Sequence, residues 1–188
     1  MIAADGGAAA ALALGLSIET VIGDLDSLDL ATRDRLGRTP ILHDRDQDTT
    51  DFEKCLARID APLVVGVGFV GGRLDHTLAV LSALVGQTDT DVVLLGASDV
   101  VFPVHGGLRL DVPPGTRVSL YPMGPVRGRS TGLEWPIDGL DLTPSGRVAT
   151  SNRATGPVTI DAEGPLLAIL PLEYFTQAVD ALRRARSG

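Results

Sequence analysis

Basic residues and cysteine are scarce in this sequence of 188 residues. It carries 16 Lys and Arg residues against 24 Asp and Glu residues, and Lys54 is the only lysine. Without a basic block, the chain lacks the side chains that grip a nucleic-acid backbone, so we expect no nucleic-acid partner. The single cysteine, Cys55, excludes an intrachain disulfide and a cysteine-based zinc cluster.

Long apolar segments are missing as well. No apolar run reaches the roughly 18 residues of a membrane-spanning helix, and no charged and then apolar leader opens the sequence. A hydrophobic content of 44% still supplies a sizeable core for one large domain or two small ones. We therefore expect a globular, cytoplasmic protein without a membrane partner.

The first hundred residues alternate strand patterns with helix patterns. Short apolar runs typical of buried strands occupy residues 2–4, 20–22, 41–42, 63–67 and 92–95. Strands separated by helices favour a mostly parallel sheet with helices on both faces. The sequence therefore predicts an α/β domain over residues 1–100.

Two helix patterns in this half are the clearest. Thr50 and Glu53 have capping-box spacing at the start of a helix predicted over 50–60, whose apolar stripe leaves Lys54 on an exposed face. A second helix is expected after Gly72. Its predicted inward side chains are Leu74, Leu78, Leu81 and Val85.

Glycine and proline become frequent after about residue 99. They separate short strand patterns at residues 117–121, 158–160 and 166–170, and a helix pattern covers 173–186. This arrangement predicts an antiparallel β-sandwich with a C-terminal helix over residues 101–188. The expected fold class is therefore α/β, with an N-terminal, mostly parallel sheet flanked by helices and then this sandwich.

Acidic residues follow the predicted strands of the first half. Asp5 ends the first strand, and Asp24 and Asp26 end the second. Further acids follow the third strand or open the helix after the fourth: Asp44, Asp46, Asp48, Asp51 and Asp75. Because ligands bind beyond the carboxyl ends of parallel strands, we expect these carboxylates to meet at one edge. Ionised carboxylates repel one another, so their proximity needs a cause. They could bind a divalent metal, or one of them could accept a phosphoryl group. A solvated turn is the structural alternative.

Two nucleotide or metal motifs compete for these segments. Residues 44–55 resemble a calcium loop, but Thr49 replaces its turn glycine and Cys55 its bidentate glutamate, so we reject this interpretation. GVGFVG at 66–71 matches the GxGxxG pattern between a strand and a helix. However, the acid near the end of the next strand arrives only at Asp99, beyond the usual spacing of about 20 residues. A glycine-rich turn there could still expose backbone N–H groups to phosphate.

A third interpretation starts from DLDS at residues 24–27. A strand that ends this way resembles haloacid-dehalogenase-like phosphatases, in which Asp24 would attack phosphorus and Asp26 would act as acid and base. Such enzymes also need a later lysine and a further acidic pair. Lys54 comes early and the second half has no DD pair, which disfavours this alternative.

Six segments occur together in an order typical of one family: ADGGAAAALALG, VIGDLDSLD, DRDQDTTDFEKCL, GGRLDHTLAVL, TGLEWPI and TSN. The chain resembles the thiamine pyrophosphokinases (thiamine diphosphokinases) over nearly its whole length. The resemblance implies a nucleotide-binding catalytic domain at 1–100, a thiamine-binding sandwich at 101–188 and a homodimer. It also implies Mg²⁺-dependent transfer of pyrophosphate from ATP to the thiamine hydroxyl, which releases AMP.

The resemblance also assigns site residues. The metal ligands are Asp24, Asp26 and Asp51, which are also the catalytic residues together with Lys54. The cofactor-binding residues, which would contact ATP and its metal, are Asp5, Gln47, Thr50, Arg73 and Asp75. The thiamine contacts are Trp135, Ser151 and Asn152.

Structural alternatives exist for several of these residues. Lys54 could form a surface ion pair, Trp135 could be a core residue, and Ser151 with Asn152 could simply make a turn. The family usually has another strand and helix ahead of ADGG, and this sequence begins at Met1 with neither. A thiamine or nucleotide sensor without catalysis therefore stays open beside the kinase and the phosphatase.

Overall fold

The computed structural model describes residues 1–46, 48–87 and 89–187. For residue 187 this description covers the backbone alone. Gln47, which the resemblance assigns to the nucleotide site, lies outside the described residues. The chain divides into two compact units, Met1–Asp60 (unit 1) and Ala61–Gly188 (unit 2). The predicted domain boundary near residue 100 stays a prediction.

Unit 1 is a small parallel sheet with helices, as the alternating pattern predicts. Its described elements are β1 (Ile2–Ala4), α1 (Gly7–Ala13), β2 (Thr20–Gly23), α2 (Leu30–Leu36), β3 (Ile41–His43) and α3 (Asp51–Leu56). The strands pair in the order β1-β2-β3, with Ala3 opposite Val21 and Ile22 opposite Leu42. The central strand, β2, is buried at Val21 and Ile22, and this burial fixes the parallel register.

Unit 1 has an apolar core around its sheet. One cluster of this core consists of Ala3, Ala8, Val21, Leu28 and Leu36, and Ile22, Phe52 and Cys55 are also buried. At the edge of the sheet, Ile41 and Leu42 of β3 remain exposed. The parallel arrangement brings the carboxyl ends of β1, β2 and β3 to the same edge of the sheet, which is where the acidic residues follow.

Unit 2 is a larger, mostly antiparallel structure. Its described elements are β4 (Leu63–Val67), α4 (Leu74–Gly86), β5 (Asp91–Leu95), β6 (Asp99–Leu110), β7 (Arg117–Pro122), β8 (Arg127–Leu133), β9 (Ala149–Pro171), a 3-10 helix (Leu172–Tyr174) and α5 (Phe175–Ser187). The strand order is β4-β5-β6-β9-β7, and β8 pairs with β9. The predicted α/β fold class, a parallel sheet followed by an antiparallel part, is therefore confirmed.

The pairing in unit 2 differs from the sequence expectation in one respect. β4 and β5 pair in parallel, but β5 then pairs antiparallel with β6 through Leu94 and Val101. The last two strands of the first half therefore belong to the sheet of the second half. Strand patterns give direction and burial but not neighbours, so the sequence could not distinguish one five-stranded sheet from this arrangement.

The buried face of α4 also differs from the prediction. Val80 and Leu84 are its buried residues, and the helix lies against β6 and β9. Leu74 and Leu78 are 71% and 53% exposed, so the inward stripe predicted from them is wrong. At about 100° per residue, Leu78 lies about 200° round the helix from Val80, on a different face.

No helix among the described residues combines the length and apolar character that crossing a membrane requires.

Candidate active site

Three carboxylates converge at the carboxyl end of the unit 1 sheet. Asp5 follows β1, while Asp24 and Asp26 follow β2, and one carboxylate oxygen from each lies within 4.8 Å of the other two. The parallel pairing of the two strands brings these positions together, and the Asp5 N–H continues the ladder by donating to the Ile22 carbonyl at 2.8 Å. The convergence predicted from the strand ends therefore occurs for these three acids.

Asp5 is the most buried member of this cluster, at 4% exposure. Its Oδ2 accepts a hydrogen bond from the Ser27 N–H at 3.2 Å, but its buried Oδ1 has no hydrogen-bond partner among the described residues. Burial raises the pKa of Asp5, and the negative charges of Asp51 and Asp26 raise it further. A buried carboxylate oxygen without a partner is costly, so the site favours an added cation or proton at Asp5.

The turn after β2 orients the other two carboxylates. Asp24 Oδ1 accepts from the Asp26 N–H at 3.3 Å, and the Ser27 hydroxyl donates to Asp26 Oδ1 at 2.9 Å. Between the two acids, Leu25 has a φ of 68°, a left-handed conformation that is uncommon for a branched side chain. This strained turn keeps two like charges adjacent, which is a feature found at binding sites.

Asp51 and Lys54 belong to α3, the next element at this edge. Thr50 caps the helix by accepting from the Glu53 N–H, and Glu53 accepts from the Thr50 N–H at 2.8 Å, so the predicted capping box is confirmed. Lys54 Nζ lies 3.5 Å from Asp51 Oδ1, but the lysine side chain is only 4% exposed. The prediction that Lys54 lies on an exposed face is therefore wrong, because its side chain is buried.

A close approach at Gly23 places Asp51 beside the cluster. A Cβ at Gly23 would lie 2.8 Å from the Asp5 Cβ and 3.3 Å from Asp51 Oδ1. The glycine before the acidic pair is therefore needed for space. Neither Gly23 nor Ser27 was among the predicted site residues, and Asp5 was placed among the nucleotide contacts and not among the metal ligands.

The loop after β3 adds acids that are held by local contacts. Asp44 pairs with Arg58 at 2.8 Å and accepts from the Asp46 N–H, while Asp46 accepts from the Asp48 N–H and the Thr49 hydroxyl. These hydrogen bonds lower the pKa values of Asp44 and Asp46. Both are therefore turn-forming acids, in agreement with the structural alternative for them.

The predicted nucleotide residues Arg73 and Asp75 lie in unit 2, at the start of α4. Arg73 forms a two-pronged ion pair with Asp75, with distances of 3.1 and 2.6 Å, and this contact lowers the pKa of Asp75 to about 2. Both side chains are mostly exposed. The preceding glycine-rich turn has positive φ at Gly68 and Gly71, which requires glycine at these positions.

The three predicted thiamine contacts come together elsewhere in unit 2. Trp135 is 55% exposed, so the alternative that it is a core residue is wrong. Asn152 is buried on β9 and is hydrogen-bonded to both backbone groups of Trp135. The neighbouring Ser151 is exposed, and its N–H donates to the Ser119 hydroxyl at 3.0 Å. These two residues therefore lie in a strand and not in a turn.

The cluster in unit 1 has the composition of a site for a hard divalent cation. Its donors are carboxylate oxygens, which are the ligands that Mg²⁺ and Ca²⁺ prefer. Asp5 Oδ1, which is without a partner in the part of the chain that the structure describes, is an independent sign that a positive group belongs there. Asp5, Asp24 and Asp26 therefore fit a metal, and the carboxylate of Asp51 lies beside Asp5.

Comparison with known proteins agrees with this architecture. Residues 1–94 match the family model described as the thiamin pyrophosphokinase catalytic domain, and residues 108–167 match that described as its vitamin B1 binding domain. A thiamin pyrophosphokinase structure from Candida albicans has a TM-score of 0.78 at 16% identity and covers 90% of this chain and 81% of its own. The yeast enzyme has a TM-score of 0.76 at 20% identity, with coverages of 95% and 80%. At these identities the structures show the fold.

Curated relatives carry the same name. Thiamine pyrophosphokinase 1 of Arabidopsis thaliana is 27% identical over 172 residues, which are 79% of this chain and 63% of the relative. Thiamin pyrophosphokinase 1 of Caenorhabditis elegans is 27% identical over 180 residues, or 86% and 73% of the two chains. The chain thus spans 63% of the length of the plant relative. Because the catalytic-domain model covers half of the sequence, the chain belongs to the thiamin pyrophosphokinase family.

Proposed function

We propose that this chain is a thiamine pyrophosphokinase, which transfers pyrophosphate from ATP to the hydroxyl of thiamine and releases AMP. The observation that carries the proposal is the carboxylate cluster of Asp5, Asp24 and Asp26 in a chain of this family. Membership of the family supports the substrates, and the cluster supports a need for Mg²⁺. The phosphatase and sensor alternatives are not favoured by the family models or the relatives.

The residues of unit 1 would bind the metal and orient the triphosphate. Asp24 and Asp26 would hold Mg²⁺, with Asp5 as the buried third carboxylate and Asp51 beside it. Mg²⁺, when bound, offsets the negative charge of the phosphate oxygens. Lys54 would fix the Asp51 carboxylate through their 3.5 Å contact and extend positive charge towards the same edge. Thr50 would act by holding the first turn of α3, which carries Asp51.

The reaction itself forms one bond and breaks one. The thiamine hydroxyl oxygen attacks the β-phosphorus of ATP, and the bond between that phosphorus and the oxygen bridging to the α-phosphorus breaks, with its electrons leaving on AMP. The hydroxyl proton passes to solvent, and we assign no general base. Positioning and charge stabilisation supply most of the acceleration in such transfers.

Further parts of the proposal rest on the family resemblance. Arg73 and Asp75 at the start of α4 would contact ATP, as would Gln47. Trp135, Ser151 and Asn152 would contribute to the thiamine site. An assembly as a homodimer and a cytoplasmic location also belong to the proposal. Thiamine is a cation, so the formal net charge of −8 favours its approach to the protein.

The decisive experiment follows AMP and thiamine diphosphate with wild type and Asp24→Ala. For wild type we expect both products in equal amounts only when ATP, Mg²⁺ and thiamine are all present. Asp24→Ala should lose at least ~100-fold in turnover, because it removes electrostatic stabilisation worth several kcal/mol. Asp34→Ala is the matched control, since Asp34 is an exposed acid of α2 in the same unit.

Each alternative gives a different result in this assay. Free phosphate from a monoester without thiamine would indicate a phosphatase, and binding of thiamine without products would indicate a sensor. Near-normal turnover by Asp24→Ala would remove the acidic cluster from the mechanism. A Mn²⁺ titration followed by water-proton relaxation measures metal affinity separately, and it should weaken for Asp24→Ala but not for Asp34→Ala.

A further inference from the structure

Trp135 has an exposed indole ring, and both polar groups of its backbone are hydrogen-bonded. Asn152, only 3% exposed, donates from Nδ2 to the Trp135 carbonyl at 2.6 Å and accepts at Oδ1 from the Trp135 N–H at 3.2 Å. The same Oδ1 accepts from the Arg153 N–H at 2.9 Å. One buried amide therefore binds both polar backbone groups of the residue that carries the exposed ring.

The chain on either side of Trp135 is held as well. Before it, the Glu134 N–H donates to the Arg153 carbonyl at 2.9 Å. After it, the N–H of the buried Ile137 donates to the Ser130 hydroxyl at 3.0 Å, and the Ser130 N–H donates to Asp138 Oδ2 at 3.0 Å. Residues 134–138 are thus fixed at both ends and in the middle, although they lie outside regular strands.

We propose that Asn152 is a positioning residue for substrate recognition, which acts by holding Trp135 in place. The fixed backbone would present the indole as a preorganised flat surface, on which a cationic aromatic ring can stack by cation–π attraction. Preorganisation strengthens binding because the ordering cost is met during folding and not on association. The substrate part of this inference rests on the proposed function, in which thiamine is the cationic aromatic ligand.

The chemistry of the site explains why an amide is needed at residue 152. Only a side chain with both a donor and an acceptor can serve the carbonyl and the N–H of one residue together. Aspartate has nearly the same shape but places an oxygen against the Trp135 carbonyl, so it would repel this group. Because the amide is buried, water cannot easily replace the lost hydrogen bond.

The sequence offers a clean probe, because Trp135 is the only tryptophan. The time-resolved fluorescence anisotropy of this residue reports its local motion without any ligand. For Asn152→Asp we expect the amplitude of the fast component to increase at least ~2-fold. The KM for thiamine should increase ~10-fold, equivalent to about 1.4 kcal/mol, while kcat and the KM for ATP stay within ~2-fold.

Two further variants calibrate these values. Trp135→Ala sets the KM for thiamine without the ring and should equal or exceed that of Asn152→Asp. Thr159→Ala is the control on the same strand, since it removes an exposed hydrogen bond to Thr131 and should leave anisotropy and both KM values unchanged. If Asn152→Asp does not fold, hydrogen exchange of the wild-type amides is the alternative measurement. The Trp135 N–H should then exchange at least ~100-fold more slowly than an unprotected amide.

The outcomes separate this inference from the proposed function. Wild-type anisotropy and KM values in Asn152→Asp, or a fast-exchanging Trp135 N–H, would overturn the positioning role. Equal losses in kcat and in both KM values would indicate general damage and overturn it as well. If Asn152→Asp mobilises the indole but wild type neither forms AMP nor shows thiamine-dependent quenching of Trp135, the substrate assignment and the proposed function are refuted together.

Discussion

The candidate metal site of unit 1 and the 134–138 segment of unit 2 use buried polar groups in opposite ways. In unit 1 the buried Asp5 carboxylate keeps one oxygen without a partner among the described residues, beside other acids. In unit 2 the buried side chains of Asn152 and Ser130 are hydrogen-bonded to backbone groups of the 134–138 segment. The first arrangement leaves an electrostatic demand that a ligand can meet, whereas the second rigidifies a surface before any ligand arrives.

The two units also differ in their apolar cores. Unit 1 has the short strands β1 to β3, and its buried apolar residues include Val21, Ile22 and Phe52. Unit 2 has a continuous core that runs along β6, β7, β8 and β9 and includes the fully buried Phe102 and Leu120. Repulsion between the carboxylates at the end of the short-stranded sheet lowers the free energy of unfolding of unit 1. We therefore expect the stabilities of the two units to respond differently to substitution.

The largest expected effect on stability comes from the core of unit 2. Leu120→Ala should lower the free energy of unfolding by about 2–5 kcal/mol, because it removes a fully buried side chain and leaves a cavity. Urea unfolding followed by Trp135 fluorescence measures this change, since Trp135 belongs to the same unit. The matched control is Leu74→Ala, whose 71% exposed side chain should contribute within about 0.5 kcal/mol. Equal effects of the two variants would contradict the assignment of the main core.

Much of the site could be predicted because it depends on short-range sequence patterns. The strand ends that carry Asp5, Asp24 and Asp26 follow from apolar runs, and a parallel sheet brings such ends together. The capping box of Thr50 and Glu53 is likewise a local pattern, and it is confirmed. The antiparallel second half follows from its frequent glycine and proline residues.

The remaining features depend on packing between distant segments. The burial of Lys54 was missed because helical periodicity shows which residues share a face but not how tertiary packing covers that face. The inward face of α4 was missed because leucine occurs on more than one of its faces. The link between Asn152 and Trp135 spans 17 residues of sequence, and no periodicity reveals it.

A second prediction tests the crowding at the acidic edge of unit 1. Gly23→Ala places a Cβ 2.8 Å from the Asp5 Cβ, so the end of β1 must shift. We expect a loss of about 1–3 kcal/mol in unfolding free energy, as for other overpacked sites, together with weaker Mn²⁺ binding. Circular dichroism during urea unfolding and relaxation titrations measure the two effects.

The control for this variant lies in the same unit. Gly7 begins α1, and among the described residues no atom beyond its chain neighbours and the nearby helix backbone lies within 4 Å of the position that a Cβ would take. Gly7→Ala should therefore be neutral or stabilise the protein by up to about 1 kcal/mol. A Gly23→Ala protein with normal stability and normal metal affinity would show that the close contact between Gly23 and Asp5 is not needed to build the cluster.

The smallest expected effect concerns the cap of α3, which separates a structural role of Thr50 from a direct role in nucleotide binding. Thr50→Ala removes the hydroxyl that accepts from the Glu53 N–H and should cost about 1 kcal/mol in unfolding free energy. Thr50→Ser keeps the hydroxyl and should retain most of this stability. If Thr50 acts only as the cap, the KM for ATP should follow stability in both variants, since a frayed first turn displaces Asp51. A raised KM for ATP in Thr50→Ser at normal stability would instead indicate that the threonine methyl group contributes to the nucleotide site.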